Sequence, residues 1–314
     1  MTSATASDPA SAAASVRAAA VTTLHKPWLG VVASLALVAA PLALCAALLA
    51  AWARVSGTPV AIAPIIAALF VVREIISFTA GAHYHRSLSH KHFDFHPVVE
   101  RPLRVWNFFF MGSGRAWAVM HRLHHAETET DADPHSPYKT GESLWTIFAQ
   151  TSRSYFAVAR ALQAGTPSMY SRFDVGLPED AFERYAIWVS SKGIAGIALA
   201  RAPVGIALLS LVFGSVPVAA AFFLCLMLSV WTGTILLING VTHMWGYRTS
   251  PSRDRSTNVL PIDPIGWGEL LHHNHHAFPG RANLAVMPWE LDLGYWILVA
   301  LAKVGVVRGL DRAG

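Results

Sequence analysis

The chain has 314 residues, of which 54% are hydrophobic and only 14% charged, with a net charge of +5. A soluble domain carries roughly 25% charged residues, so this composition excludes an ordinary soluble enzyme and points to an integral membrane protein. Nucleic-acid binding is excluded as well, because the basic residues form no run and are interleaved with acidic ones.

In chain order, residues 1–27 open with a stretch rich in Ala, Ser and Thr that has no periodic apolar face, and read as a disordered cytoplasmic tail. The apolar segment that follows is too long for the roughly 7–15-residue core of a secretory signal. A helix needs about 20 apolar residues to cross a bilayer. Four segments meet or approach that length: 28–53, 58–80, 193–214 and 216–238. They pair into two hairpins with very short turns at 54–57 and at Ser215. Arg201 and Pro203 interrupt the third segment, which predicts a start near Ala202. Cys45 and Cys225 lie inside apolar stretches, far from any C-x-x-C, so neither a disulfide framework nor an iron–sulfur cluster is expected.

The stretch 81–192 between the hairpins carries many Arg and Lys, which by the positive-inside tendency places it, and both termini, in the cytoplasm. The stretch 239–314 joins it to form a cap. Leu103–Val119, Leu144–Leu162 and Leu291–Val307 are apolar pieces carrying charges, and read as interfacial helices under the membrane.

Histidine placement is the strongest functional signal. One cluster, His85 and His90, follows the second span, and His121, His124 and His125 come soon after it. The fourth span is followed by His272, His275 and His276. An even number of crossings separates these clusters, so all emerge on one face and can meet there. In H-x-x-H-H, used twice, positions i, i+3 and i+4 share one face of a helix. His85 and His90 are five apart, about 140° around an α-helix, and are expected to straddle a helix end or bend. His83 is an alternative to His85. Asn239 and His243, at i and i+4, add an amide able to hold a metal-bound water and one more imidazole. Nine imidazoles and one amide serve two transition metals and leave positions open for dioxygen. A catalytic zinc site takes three protein ligands, so zinc hydrolysis is not indicated. His25, His92, His96, His135 and His273 are left as solvated non-ligands.

These residues resemble the membrane acyl-CoA desaturase family, the group of stearoyl-CoA and bacterial delta-9 desaturases. The likeness rests on His85-Arg86-Ser-Leu-Ser-His90 and on Trp117-Ala-Val-Met-His121-Arg122-Leu-His124-His125, which runs on to Asp133-Pro134-His135-Ser136-Pro137. It rests also on Asn239-x-x-x-His243 and on Glu269-Leu-Leu-His272-His273-Asn274-His275-His276, and covers roughly 28–310, the desaturase domain. The resemblance implies an all-α membrane protein with four transmembrane helices. Above them a cytoplasmic helical cap would hold two iron ions in a histidine-rich di-iron site beside a bent acyl tunnel.

It further implies that His85, His90, His121, His124, His125, His243, His272, His275 and His276 ligate iron, and that Asn239 does so through water. Trp117, Asp133 and Glu269 would stand behind the ligands. Met120, where many relatives carry Asp, and His273, where they carry Asn, depart from the family pattern.

The expected activity is oxygen-dependent conversion of CH2–CH2 in a fatty acyl chain to a cis double bond. The acyl group would be linked to CoA, a carrier protein or a lipid, or be free. Related di-iron outcomes on the same substrate are acetylene formation, hydroxylation or terminal-alkene-forming decarboxylation. The chain has no haem-binding His-Pro-Gly-Gly, so electrons are expected from a ferredoxin or cytochrome b5-like donor with its reductase. Arg73 and Glu74, inside the second span, are expected to close or line the bottom of the acyl tunnel, because ionisable groups in a span are costly and by default functional.

Overall fold

The computed structural model describes residues 24–137 and 143–310, so the predicted tail lies almost wholly outside the described residues. Four helices are long and apolar enough to span a membrane: Pro27–Ser56, Ile62–Ser89, Gly193–Phe213 and Val216–Met244. The first, α1 (Pro27–Ser56), packs on the second and the fourth. The second begins as α2 (Ile62–Thr79) and continues without a break as a π-helix, Ala80–Ser89.

Around the membrane stem, Cys45, Leu49, Leu69, Ile76, Phe222, Cys225 and Leu226 form the buried core. Leu199, Leu211, Val212 and Leu224 face outward and are exposed. A helix apolar all round, with large aliphatic residues on its outer face, is stable only where that face meets lipid.

Between the hairpins the polar segment forms α3 (Pro97–Met111), α4 (Gly114–Glu127), α5 (Leu144–Ala164) and α6 (Ala181–Ser191). The expected single helix over Leu103–Val119 is two helices, broken at Gly112. That residue has φ 90°, a value other residues rarely adopt, and a Cβ there would overlap the Tyr155 hydroxyl. Ser113 then caps α4, its hydroxyl accepting from Ala116 N at 3.0 Å. Ala116, Val119, Val158, Ala159, Ala186 and Val189 pack α4, α5 and α6 into a second core.

The third span, α7 (Gly193–Phe213), starts at Gly193 rather than near Ala202. Arg201 does not interrupt it. Its guanidinium is buried and donates to the carbonyls of Phe108 and Phe109 at 3.1 and 2.9 Å, at the C-terminal end of α3. A cation there meets the Phe109 carbonyl, shares the Phe108 carbonyl with Gly112 N, and complements the helix dipole. Pro203 lies within the helix without ending it.

The fourth span runs as α8 (Val216–Trp231), a second π-helix, Thr232–Val241, and a last turn, α9 (Thr242–Met244). The two π-helical stretches therefore extend the second and fourth spans at their polar ends. After them come α10 (His272–Ala277) and α11 (Leu293–Lys303). Two short antiparallel pairs tie distant segments together, β1 (Leu24–His25) with β3 (Gly246–Tyr247) and β2 (Asp94–Phe95) with β4 (Val307–Arg308).

Candidate metal centre

The clustered histidines converge from α4, α10 and the ends of the second and fourth spans. His85, His90, His121, His125 and His275 form one group, and His124, His243, His272 and His276 another. Within each group the ligand-capable atoms lie within 4.8 Å of one another. The groups adjoin, with the His125 and His276 rings stacked at 4.5 Å.

Helical geometry explains how. On α4 and on α10, the i and i+4 histidines turn their Nε2 atoms toward each other: His121 and His125 at 3.0 Å, His272 and His276 at 3.1 Å. The middle histidine of the first triplet, His124, points into the four-histidine group, whereas in the second triplet it is His275 that crosses, into the five-histidine group. Each helix thus serves both groups.

His85 and His90 meet for another reason. In a π-helix the hydrogen bond runs i to i+5, and His90 N donates to His85 O at 3.2 Å. Residues five apart then share a face, with ring centroids 4.9 Å apart. His90 stands just past the π-helix as its C-cap, so the pair straddles a helix end as expected, and the 140° offset of an α-helix does not separate them. The same π-helix turns His83 away, against the Asn107 amide at 3.2 Å, so His85 and not His83 joins the cluster.

Behind the rings stand carboxylates. Asp133 Oδ1 accepts from His124 Nδ1 at 2.9 Å, Asp254 lies 2.8 Å from His276 Nδ1, and Glu269 lies 2.5 Å from His85 Nδ1. Glu129 stands farther off, 3.8 Å from His243 Nδ1. Such partners fix ring orientation and tautomer and raise ligand basicity. Glu269 comes this close because Gly81, one turn before His85, has no side chain in its way; a Cβ there would stand 3.0 Å from Glu269 Oε1. Arg86 is buried behind Glu269 and also pairs with Asp292 at 3.0 Å, pinning the π-helix to the C-terminal segment. Trp117 stacks on His121 at 4.9 Å.

Burial and the neighbouring imidazoles push His90, His121, His125, His272 and His275 well below the ordinary histidine range, and His276 to about 3. These rings are therefore neutral, the form that binds metal. Burial would push Asp133 and Asp254 up, but His124 and His276 beside them outweigh it and hold both carboxylates well below their usual range.

The donor set fits a cation. His124 and His276 each present Nδ1 to a carboxylate, so Nδ1 carries the proton and Nε2 is a bare lone pair. Yet the two Nε2 atoms face each other at 3.3 Å. Two lone pairs so placed repel unless a positive ion lies between them.

Asn239, in the second π-helix, lines cavities on both sides of it. Its Nδ2 donates to Thr234 O at 3.0 Å, which leaves the side-chain carbonyl free for a bound water. One cavity reaches His85, His121, His272, Glu269 and Arg73. A second extends toward Tyr155 and Arg201, and the two share Met111, Trp117, Thr234 and Asn239. Glu74 is not on the lining; it is buried against Arg73.

Three histidines expected in solvent are buried instead. His92 stacks on His90 and bonds Pro279 O at 2.9 Å, and His273 accepts from Ser250 N at 3.2 Å. His135 packs 4.1 Å from His124. Asp254, Glu129 and Arg86 carry no spacing signal of their own, although Arg86 lies in the first histidine motif.

Comparison with known proteins places the chain in a family. The family model for fatty acid desaturase matches residues 104–303. The sn-1 stearoyl-lipid 9-desaturase of Anabaena variabilis is 30% identical over 239 residues, 73% of this chain and 77% of that protein. The sn-2 palmitoyl-lipid 9-desaturase of Nostoc sp. (strain 36) is 28% identical over 72% of this chain and 73% of its own length. Delta-9 acyl-lipid desaturase 2 of Arabidopsis thaliana is 27% identical over 71% and 67%. The chain belongs to the fatty acid desaturase family and is a membrane oxidoreductase that desaturates fatty acyl chains.

Proposed function

We propose that the two histidine groups hold two irons. His85, His90, His121, His125 and His275 would bind one, and His124, His243, His272 and His276 the other, with Asn239 completing the second through a water. The observation that carries this reading is the opposed pair of bare Nε2 atoms on His124 and His276. When bound, such a pair supplies the activation of dioxygen and the breaking of an unactivated C–H bond, which no side chain does alone.

This chain's residues do the rest. The acyl chain lies in the joined cavities, with Ile76, Val230, Ile238 and Met111 providing apolar walls that keep water out. Trp117 and Asn239, at the junction, set which carbon pair faces the histidines. Asp133, Asp254 and Glu269 hold their rings in one tautomer and orientation.

The names of the relatives favour a lipid-linked acyl group and the C9 position over a CoA thioester. Electrons come from a ferredoxin or cytochrome b5-like protein with its reductase. The many Arg and Lys in the polar segments favour a cytoplasmic location for the histidine face and both termini.

The test is expression in a host with simple fatty acids, followed by profiling of double-bond position in each lipid class. A cis C9 product in intact lipids, lost in His124→Ala, with about two irons per purified chain, is expected. Acetylenic, hydroxylated or alkene products would favour the related di-iron outcomes. A purified, active protein without iron would overturn the reading.

A further inference from the structure

The guanidinium of Arg73 sits inside a membrane-spanning helix yet lines the same cavity as His85, His121 and His272. It is 4% exposed. Its Nη1 is committed, donating to the Glu74 carboxylate and to Ile265 O at 2.9 Å. Trp267 Nε1 in turn donates to Glu74 O at 3.1 Å, so the pair is fixed to the loop that precedes Glu269. Among the described residues no acceptor meets Nε or Nη2. Nη2 instead lies beside Gly233, which also lines the cavity and whose added Cβ would stand 3.2 Å from it.

The cavity wall from this group to the metal centre is one face of the second span, at Arg73, Ser77, Gly81 and His85. Twelve residues separate its ends, at most about 18 Å at the α-helical rise. Resting on the reading that the acyl chain lies in this cavity, we propose that Arg73 is a specificity-determining residue that ends the hydrocarbon arm by polarity rather than by size. Its N–H groups hold water at the far end of the cavity. A methyl terminus long enough to arrive there must strip that water and leave buried donors of a cation without an acceptor, which is costly. An oxygen at the same position replaces the water and restores the bond. Glu74 and Ile265 O keep the guanidinium from folding away when a chain enters.

The test feeds a host expressing the wild-type protein with saturated acids of graded length, and with ω-hydroxy acids in which a terminal hydroxyl replaces the last methyl. Desaturation is scored as the fraction of incorporated chains. Conversion of methyl-ended chains is expected to fall sharply beyond one length. At that length the ω-hydroxy counterpart, with the same number of heavy atoms, is expected to react about tenfold better, the consequence of satisfying one buried donor. In the double substitution Arg73→Leu with Glu74→Leu, which leaves no unpaired charge, longer methyl-ended chains should be accepted and the hydroxyl advantage lost.

Equal use of the two chain ends by the wild type would overturn the proposal, and this comparison stands even if the double variant does not accumulate. An accumulating, active variant with an unchanged length profile and hydroxyl preference would overturn it too. Failure of the wild type to desaturate any acid would instead overturn the proposed function, and this inference with it.

Discussion

Replacing Asp254 by Asn should weaken one metal and spare the other. Asp254 Oδ2 lies 2.8 Å from His276 Nδ1, while Oδ1 accepts from the hydroxyls of Ser252 and Ser256 at 2.5 and 2.8 Å. An asparagine turned with its carbonyl toward His276 keeps the ring oriented but loses the negative charge; its amide meets two hydroxyls that can accept, and the Ser256 N–H, which donates to Oδ1 at 3.3 Å, loses its acceptor. At His276 the loss is one charge-assisted hydrogen bond, about 1.5–3 kcal/mol. At about 1.4 kcal/mol per factor of ten, that is roughly 10–100-fold in affinity, the usual effect of removing a ligand's outer partner. His276 belongs to the four-histidine group, and none of the five histidines of the other group pairs with Asp254. Purified protein titrated with a chelator should therefore release one metal per chain at roughly 10–100-fold lower chelator activity than the wild type, and the second metal unchanged. Glu269→Gln should do the reverse, since Glu269 stands behind His85. Equal weakening of both metals by Asp254→Asn, or of neither, would refute the assignment of the two groups.

Three further outcomes follow from the geometry. His83→Gln should keep both metals and His85→Gln should lose one, read as metal per purified chain, because only His85 faces the cluster. Arg86→Met leaves the Glu269 and Asp292 carboxylates buried without their cation, and should destabilise the protein by about 3–5 kcal/mol, seen as loss of folded protein in detergent. Gly112→Ala combines a strained φ with overlap on Tyr155 and should cost more than about 1 kcal/mol, measured as a lower unfolding midpoint.

Much of the molecule is local and so legible in the chain itself. Span length and apolarity are properties of contiguous residues, which is why four crossing helices can be read directly. The i, i+3, i+4 spacing of two histidine triplets is equally local, because an α-helix maps it onto one face.

What escaped is what backbone register and long-range pairing decide. No periodicity in Ala80–Ser89 announces i to i+5 hydrogen bonding, yet that register alone brings His85 beside His90 and turns His83 out. Arg201 looks like an interruption until the C-terminal carbonyls of α3, over ninety residues earlier, arrive to satisfy it. Asp254 is an unremarkable loop carboxylate until the fold sets it against His276, and His92, His135 and His273 look solvated until the chain closes over them. Residue type and spacing along the chain thus determined that metal-binding imidazoles would gather at the polar ends of the membrane helices. Only the tertiary structure decided which imidazole faces which and which carboxylate stands behind each, because hydrogen-bond geometry depends on atoms that distant segments bring within 3 Å.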